Sequence, residues 1–177
     1  MQLHLLNVEK TAKDTVYTPD DVARDVVKFF NPTGKCLDPC KGDGAFYRHL
    51  PPGSEWCEIR EGRDFFQYKG RVDWIISNPP YSVFSEWLRY SFTIADNIVY
   101  LIPVNKPFNS FKMMKDIKEW GGIPHIYAVS SGGKLGWDIG FAIGAVHFQR
   151  GFTGGTKTTF RNAHLTIKIK PNCYSRD

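Results

Sequence analysis

A short apolar strand that ends in an acid and a glycine-rich turn lies at Leu37-Asp38-Pro39-Cys40-Lys41-Gly42-Asp43-Gly44-Ala45-Phe46. In open α/β sheets, ligands bind beyond the carboxyl ends of the strands, and glycines let the backbone approach them closely. The Gly-Lys-Ser/Thr ending of a phosphate-binding loop is missing, and Asp38 would repel a phosphate. The stretch therefore predicts a site for a ligand with a positive charge or free hydroxyl groups. A plain tight turn between a strand and a helix is the alternative.

Strands and helices alternate on both sides of this turn. Strands are predicted at Lys35 to Leu37, Glu55 to Ile59, Val72 to Ser77, Asn97 to Pro103, Pro124 to Ser130, Phe141 to Phe148 and Leu165 to Lys170. Helices are predicted from Thr18-Pro19-Asp20-Asp21 to Asn31-Pro32, and at about residues 45–50, 83–94 and 110–120. Thr18 is expected as the N-cap and Pro19 at the first helical position. The order indicates an open, mostly parallel sheet with helices on both faces and late antiparallel strands.

Two connections between these elements carry further predictions. Between Ile59 and Val72 there is little room for a helix, so this region is expected to be a trimmed version of the fold. The segment Thr153-Gly154-Gly155-Thr156-Lys157 is expected to be a hairpin turn between the last strands.

The composition is typical of one globular domain. The chain has 177 residues, of which 42% are hydrophobic and 23% charged, and this fits a single domain at 15–177 after a flexible arm at 1–14. No apolar run could span a bilayer and no signal-peptide pattern is present, so we expect a cytoplasmic protein of a bacterium or an infected host cell, without membrane association. A formal net charge of +5 permits a polyanionic partner. The four cysteines lack paired C-x-x-C spacing, so no metal site is expected.

A second strand runs into a rigid turn at Asp73-Trp74-Ile75-Ile76-Ser77-Asn78-Pro79-Pro80-Tyr81. Two prolines lock the backbone and remove two N–H donors, which leaves carbonyl oxygens to accept hydrogen bonds. Asn78 adds a side-chain carbonyl and Tyr81 a flat ring. This set suits a planar substrate with an amino group, whose hydrogens bind the acceptors while its ring stacks on the tyrosine. A rigid loop after a strand is the alternative.

Taken in order, these motifs resemble those of the amino-group DNA methyltransferases that modify N6 of adenine, in the gamma-type order with the cofactor motif before the catalytic one. The family pattern is a Thr-Pro helix start, D-P-x-x-G-x-G-x-F, an acid after the second strand, D-F and N-P-P-Y. The chain presents Tyr17-Thr18-Pro19, Asp38 to Phe46, Glu58, Asp64-Phe65 and Asn78-Pro79-Pro80-Tyr81. The likeness covers roughly Val16 to Pro103, and the ordered set is far more specific than any one motif. It implies an α/β, Rossmann-like class I fold and an S-adenosyl-L-methionine-dependent enzyme that methylates N6 of adenine in DNA.

The resemblance implies that the cofactor S-adenosylmethionine lies against the turn after the first strand. Asp38 would face its ammonium group, and Glu58 would accept both ribose hydroxyls. Asp64 would accept from the cofactor's adenine amino group, and Phe65 would pack on that ring, with plain core packing of Phe65 as the alternative. The implied cofactor-binding residues are Tyr17, Thr18, Pro19, Asp38, Pro39, Cys40, Gly42, Gly44, Phe46, Glu58, Asp64, Phe65 and Asn78.

The implied catalytic residues are Asn78, Pro79, Pro80 and Tyr81. The amino nitrogen of adenine is conjugated with its ring and is therefore a poor nucleophile. Accepting its hydrogens at Asn78 and at the Pro79 carbonyl would favour a pyramidal nitrogen whose lone pair points at the methyl group, so that positioning supplies much of the rate. Tyr81 would stack on the target base, which must be flipped out of a duplex.

Basic and aromatic residues later in the chain are candidates for nucleic-acid contact. Ser130 to Trp137 is a glycine-rich loop tipped with a cation and an indole, which could reach a phosphate and a base. The candidates are Ser82, Lys106, Lys134 and Trp137, and a merely solvated surface is the alternative for the lysines. We expect DNA rather than RNA as the partner.

Recognition of a target sequence is the feature least explained by these motifs. Sequence-specific relatives carry an additional target-recognition domain, and none is expected within 15–177. The protein would then have a short sequence preference, read nucleic-acid shape, or depend on a homodimer or a recognition partner. Adenine methylation of structured RNA and glutamine side-chain methylation of a translation factor are alternatives with the same chemistry. A non-catalytic nucleic-acid-binding or scaffold module is the alternative from another class.

Overall fold

The computed structural model describes residues 16–161, which form one seven-stranded sheet covered by helices. The strands are β1 (Cys36–Asp38), β2 (Glu55–Trp56), β3 (Val72–Ser77), β4 (Ala95–Pro103), β5 (Gly121–Ser131), β6 (Ala142–Arg150) and β7 (Lys157–Phe160). The helices are α1 (Asp20–Phe30), α2 (Phe84–Ile94) and α3 (Phe111–Trp120). The arm expected at 1–14 and the strand predicted at Leu165 to Lys170 lie outside the described residues.

The strand order is β2-β1-β3-β4-β6-β5-β7, and every strand except β6 runs parallel. This confirms the predicted open, mostly parallel sheet, although the late antiparallel strands reduce to β6 in the described part of the chain. Both sides of β6 are taken by β4 and β5, so β7 pairs with β5 instead. The hairpin turn predicted at Thr153 to Lys157 is therefore wrong, because the chain crosses β5 between β6 and β7.

Helices cover both faces of the sheet, as the alternating pattern predicts. On one face, Val22 of α1 belongs to the same buried cluster as Ile76 of β3. On the other face, Leu88 of α2 and Met113 of α3 are buried together with Ile98 of β4. Each fully buried aliphatic side chain of this kind contributes about 1.5–3 kcal/mol. The two layers therefore hold the strand ends in fixed positions relative to each other.

Helix α1 begins one residue later than predicted. The carbonyl oxygen of Pro19 accepts hydrogen bonds from the backbone N–H groups of Val22 and Ala23, at 3.0 and 3.1 Å, so Pro19 is the N-cap. Pro19 has an extended backbone, with ψ at 137°, and cannot be the first helical residue. Thr18 therefore lies before the cap, and its hydroxyl is available to another partner. The predicted stop is confirmed, since Asn31 leaves the helix in the left-handed region with φ at 44°.

The region after β2 is trimmed, as expected. Between β2 and β3 the structure has only two single turns of 3-10 helix, at Ile59–Glu61 and Phe65–Gln67. The helix predicted at about residues 45–50 is likewise reduced to one 3-10 turn, Tyr47–His49. A single turn leaves the glycine-rich segment before it close to β1.

The strands end at different heights, and this shapes the end of the sheet where the motifs lie. Leu37 of β1 pairs with Ile75 of β3, and Ser77 at the end of β3 pairs with Tyr100 of β4. Strand β4 continues from Tyr100 to Pro103, about 10 Å farther at the usual rise per residue. We call the end of the sheet formed by residues 39–46, 78–83, 104–110 and 132–141 the carboxyl end. The loop after β4 therefore starts farther from the centre of the sheet than the turn that follows β3.

Residues 16–161 contain no helix that is long and apolar enough to cross a membrane. Within the same residues, no group of three or more His, Cys, Asp or Glu side chains is arranged to hold a metal ion.

Candidate active site

Asp38 is a buried acid whose two carboxylate oxygens differ in their hydrogen bonding. Its side chain is 1% exposed, and Oδ1 accepts hydrogen bonds from the Ser77 hydroxyl at 2.6 Å and the Cys40 backbone N–H at 3.4 Å. Oδ2 is also buried and has no hydrogen-bond partner among the described residues. Burial raises the pKa of Asp38 to about 7, despite the hydrogen bond from Ser77. A ligand cation beside Oδ2 would supply the missing partner and favour the ionised carboxylate.

The glycine-rich turn after β1 is held by Glu58. Gly42 and Gly44 both have a left-handed backbone conformation, with φ at 55° and 87°, which residues other than glycine rarely adopt. The backbone N–H of Gly42 donates to Oε2 of Glu58 at 2.9 Å, while Oε1 accepts from the Arg60 N–H at 3.1 Å. The two motifs that the sequence predicts to share one site are therefore in direct contact.

Asn78 has its amide orientation fixed by the segment that precedes α1. Its Nδ2 group donates to the Val16 carbonyl oxygen and to the Thr18 hydroxyl, both at 3.2 Å. A carbonyl oxygen can only accept, so the NH₂ group and not the amide oxygen must face Val16. The Oδ1 atom consequently lies on the other side, buried and without a hydrogen-bond partner within residues 16–161. It is an acceptor ready for a donor that the protein itself does not supply.

A thiol ties the turn after β1 to the turn after β3. The Cys40 Sγ atom lies 3.1 Å from the Ser77 hydroxyl and donates to the Asn78 carbonyl oxygen at 3.0 Å. Burial raises the pKa of this thiol well above its usual range, so it stays protonated and can donate. Ser77 in turn binds Asp38. The two acceptors that lack partners, on Asp38 and Asn78, thus belong to one hydrogen-bonded unit.

The rest of the Asn-Pro-Pro-Tyr motif packs against the neighbouring strand. Pro79 is buried and Pro80 is half-buried, and Tyr81–Val83 forms a 3-10 turn that leads into α2. The Tyr81 hydroxyl donates to the Leu101 carbonyl oxygen of β4 at 3.2 Å. This bond anchors the ring at the carboxyl end of the sheet, beside Asn78 in the chain.

Comparison with known proteins identifies this arrangement at the level of the fold. No protein-family model matches the chain, and no curated protein matches it. Solved structures do match: a putative class I S-adenosylmethionine-dependent methyltransferase from Listeria monocytogenes superposes with a TM-score of 0.62 at 12% identity, over 84% of this chain and 68% of that one. The chain has the class I methyltransferase fold.

Other proteins with this methyltransferase fold differ in what they modify. A modification subunit of a putative type I restriction enzyme from Vibrio vulnificus matches with a TM-score of 0.57 at 15% identity, over 90% of this chain. A putative RNA methyltransferase from Pyrococcus horikoshii matches with a TM-score of 0.56 at 12% identity, over 74% of this chain and 83% of that one. The chain spans half the length of the Vibrio subunit. Identities this low support the fold and do not select among these substrates.

Two of the three aromatic residues assigned to the cofactor, Phe46 and Phe65, lie in the core of this fold. Phe65 is 2% exposed and packs on Trp87, with ring centroids 4.6 Å apart. Phe46 is buried on the α1 side of the sheet. Asp64 accepts a hydrogen bond from the Phe66 N–H at 3.0 Å and caps the short turn after it. Tyr17 is exposed.

The structure corrects the placement expected for Trp137. Its side chain is only 7% exposed, because it packs with the apolar residues on the α1 side, and its indole N–H donates to the Tyr17 carbonyl oxygen at 3.0 Å. The indole therefore holds the segment that orients Asn78 and is not a tip of the loop. Lys134 and Ser82 are exposed, and Lys106 is half-buried.

Sequence reasoning missed two features of this end of the sheet. It did not pair Thr18 with Asn78, because the residues are far apart in sequence and only the fold brings them together. It also overlooked Phe108, Phe111 and Phe141, which are exposed on loops or at helix and strand starts. The available signal for two of them was a phenylalanine directly after a proline or a glycine, at Pro107-Phe108 and Gly140-Phe141.

Proposed function

We propose that the protein is an S-adenosylmethionine-dependent methyltransferase that acts on the N6 amino group of adenine in DNA. The observation that supports this most is the Asn78 amide, whose Nδ2 group is fully engaged and whose Oδ1 atom is buried without a partner in residues 16–161. Buried polar atoms without partners are uncommon in folded proteins, and a binding or catalytic role is one explanation for them. An amino group on a planar ring supplies the donor that Oδ1 lacks.

The residues after β1 fit the cofactor. Asp38 offers a buried oxygen without a partner within residues 16–161, and a bound ammonium group would counter the effect of burial, which raises the pKa of Asp38 to about 7, and favour the ionised carboxylate. Gly42 and Gly44 present backbone at the same turn, and Glu58 lies against it. These four residues would hold the cofactor. When bound, it supplies a methyl group whose carbon–sulfur bond breaks as the nitrogen–carbon bond forms.

The protein's own residues would orient the amine. Asn78 Oδ1 accepts one amino hydrogen and the Pro79 carbonyl oxygen the other, which draws the nitrogen lone pair out of conjugation with the ring. No strong base is needed, because the methylated nitrogen then releases its extra proton to water. Asn78 Oδ1 is shielded from solvent in this conformation. Binding of the base must therefore move the groups that cover it, a change of the kind common at binding sites.

The kind of nucleic acid that is methylated and the way in which its target is recognised are supported by different observations. The order of motifs favours adenine in DNA. The fold alone also fits RNA, since a putative RNA methyltransferase matches it. The matching Vibrio protein is a modification subunit of a putative restriction enzyme, and by analogy a partner or a second copy would supply target recognition here. Glutamine methylation remains the alternative outside nucleic acids.

A transfer assay with labelled cofactor tests the proposal. Duplex DNA, single-stranded DNA, structured RNA and a protein extract are offered separately, and N6-methyladenine is measured by mass spectrometry. We expect label in DNA, with Asn78→Ala slowing transfer by about 10³-fold or more, in the range for loss of a group that acts in the transition state. Cofactor affinity measured by calorimetry should change less than about threefold, because Asn78 serves the amine.

Asn97→Ala is the matched control. Asn97 is also a half-buried amide, but both its ends are bonded, to His147 at 3.1 Å and to the Asp73 carbonyl at 3.4 Å, near the opposite end of β4. Its variant should keep the wild-type rate. Label only in RNA or only in protein would move the substrate to that class. Substantial turnover by Asn78→Ala would contradict the assigned mechanism.

A further inference from the structure

Three phenylalanine side chains are exposed at the carboxyl end of the sheet. Phe108 is 51% exposed, Phe111 79% and Phe141 58%. Single exposed aromatic residues are common on protein surfaces, but several on neighbouring loops at one end of a sheet suggest a binding surface. We call these three residues the aromatic rim.

The rim residues come from segments that are joined to each other. The Val104 backbone N–H donates to the Ala142 carbonyl oxygen at 3.0 Å, and the Gly132 N–H donates to the Phe141 carbonyl oxygen at 3.0 Å. Phe141 therefore lies at the base of the loop after β5 and beside the start of the loop after β4. Phe108 is the last residue of the 3-10 turn Lys106–Phe108, which lies in the loop after β4.

The third member is fixed by a helix cap. The Ser110 hydroxyl accepts a hydrogen bond from the Met113 N–H at 3.1 Å, so α3 begins at Phe111. The rim therefore stands on capped and hydrogen-bonded backbone. Because β4 pairs with β3 and runs about 10 Å beyond the level of Ser77, the loop that carries Phe108 starts beyond the Asn78 turn at the same end of the sheet.

The charges around the rim favour an anionic partner. Residues 104–110 and 132–141 contain two cations, Lys106 and Lys134, and one acid, Asp138. Flat apolar rings interspersed with cations match a strand of nucleotides, whose bases stack on the rings while its phosphates approach the cations. In an intact duplex the bases are already stacked and their faces are covered.

We propose that Phe108, Phe111 and Phe141 hold unpaired nucleotides that flank the target base, so that the protein prefers single-stranded or locally opened nucleic acid. This inference rests on the proposed function, whose target site it extends by a stacking platform. Stacking of one base on one aromatic side chain changes affinity by roughly fivefold to a hundredfold when the ring is removed. The preference for unpaired strands follows, because a duplex must first be opened at a cost.

A binding titration tests the rim without requiring any turnover. The full chain is titrated into a dye-labelled single-stranded DNA oligonucleotide, and into the same sequence as a duplex, with fluorescence anisotropy as the readout. We expect Phe108→Ala and Phe141→Ala each to weaken single-strand binding by about fivefold or more. Duplex binding should change less than about twofold. Phe108→Trp, which keeps an aromatic face, should preserve single-strand affinity, whereas Phe108→Leu should not.

Phe160→Ala is the matched control. Phe160 is 65% exposed but lies on β7, which β5 and β6 separate from β4. The Phe160→Ala variant should bind both oligonucleotides with the affinity of the wild type. Unchanged single-strand affinity in the rim variants, or an equal loss with the duplex, would overturn the proposal and leave the rim as a surface for another kind of partner.

The two proposals fail in different ways. If the wild type transfers methyl groups to DNA but the rim variants bind and react normally, the rim proposal fails and the function stands. If the rim variants lose single-strand binding while no nucleic acid is methylated, the rim proposal stands and the function fails.

Discussion

Two parts of the carboxyl end of the sheet are built in opposite ways. After β1 and β3, polar groups are buried and joined by short hydrogen bonds, with Asp38, Ser77 and Asn78 in one unit. After β4 and β5, the backbone is anchored but the large side chains of the aromatic rim face solvent. The first part suits small groups that must be placed accurately, such as an ammonium or an amine. The second suits a long and variable ligand.

The two parts also differ in how much they lower the stability of the folded protein. A buried acceptor without a partner costs about 1–3 kcal/mol, and the unit after β1 and β3 carries one on Asp38 and one on Asn78. The core on both faces must offset this cost. The rim costs far less, because its rings are already solvated and only their conformational freedom is lost on binding. Substitutions in the first part should therefore change chemistry and stability, and those in the second mainly affinity.

The strongest test of this contrast is Asp38→Asn. The buried carboxyl has its pKa raised to about 7, so below pH 7 the ligand-free protein holds a proton that a bound ammonium group would displace. Cofactor affinity should therefore rise about tenfold per pH unit up to pH 7 and level off above it. Asp38→Asn should weaken binding at pH 8 by about 100-fold and remove the pH dependence, as measured by calorimetry. A variant with wild-type affinity and slope would exclude Asp38 from the cofactor site.

The same carboxyl gives a check that needs no cofactor. Its folded pKa of about 7 lies above the ordinary value of 3.8, so the folded protein holds this proton more tightly than the unfolded chain. Its contribution to stability is thus present below pH 4 and is lost as the pH rises toward 7. Asp38→Asn should flatten that part of the stability profile in thermal unfolding experiments. A profile unchanged by the substitution would contradict the burial argument.

The sequence predicts the buried part and the exposed part to different extents. Strand β3 has the predicted bounds, and the polar residues at the ends of β1 and β3 meet, because parallel strands bring their carboxyl ends to one end of the sheet. Trp137 was misplaced because a loop composition does not reveal which side chain turns inward. The packing of β7 on β5 was missed because strand order depends on contacts remote in sequence. Local pattern therefore predicts the buried polar unit far better than the exposed loops.

Thr18→Val tests how the buried unit positions Asn78. Valine keeps the shape of threonine but cannot accept the hydrogen bond from Nδ2, so the amide of Asn78 loses one of its two anchors. We expect kcat to fall about tenfold, equivalent to about 1.4 kcal/mol, with a smaller change in cofactor affinity. Thr18→Ser should restore the rate in single-turnover measurements. If the valine variant lowers only the melting temperature and leaves kcat unchanged, the contact is structural and does not position Asn78.

Lys134→Ala addresses the exposed part and should have the smallest effect. Lys134 is exposed in the 3-10 turn Gly133–Leu135, where a phosphate contact would release a counterion on binding. Nucleic-acid affinity should drop about threefold, and the slope of log affinity against log salt concentration should become shallower by about 0.7 for a single strand. Lys118, exposed in the last turn of α3, is the control, and Lys118→Ala should keep the slope. A slope unchanged by Lys134→Ala would mean that Lys134 makes no phosphate contact, so that any contribution of the loop after β5 to binding would have to come from groups other than this charge.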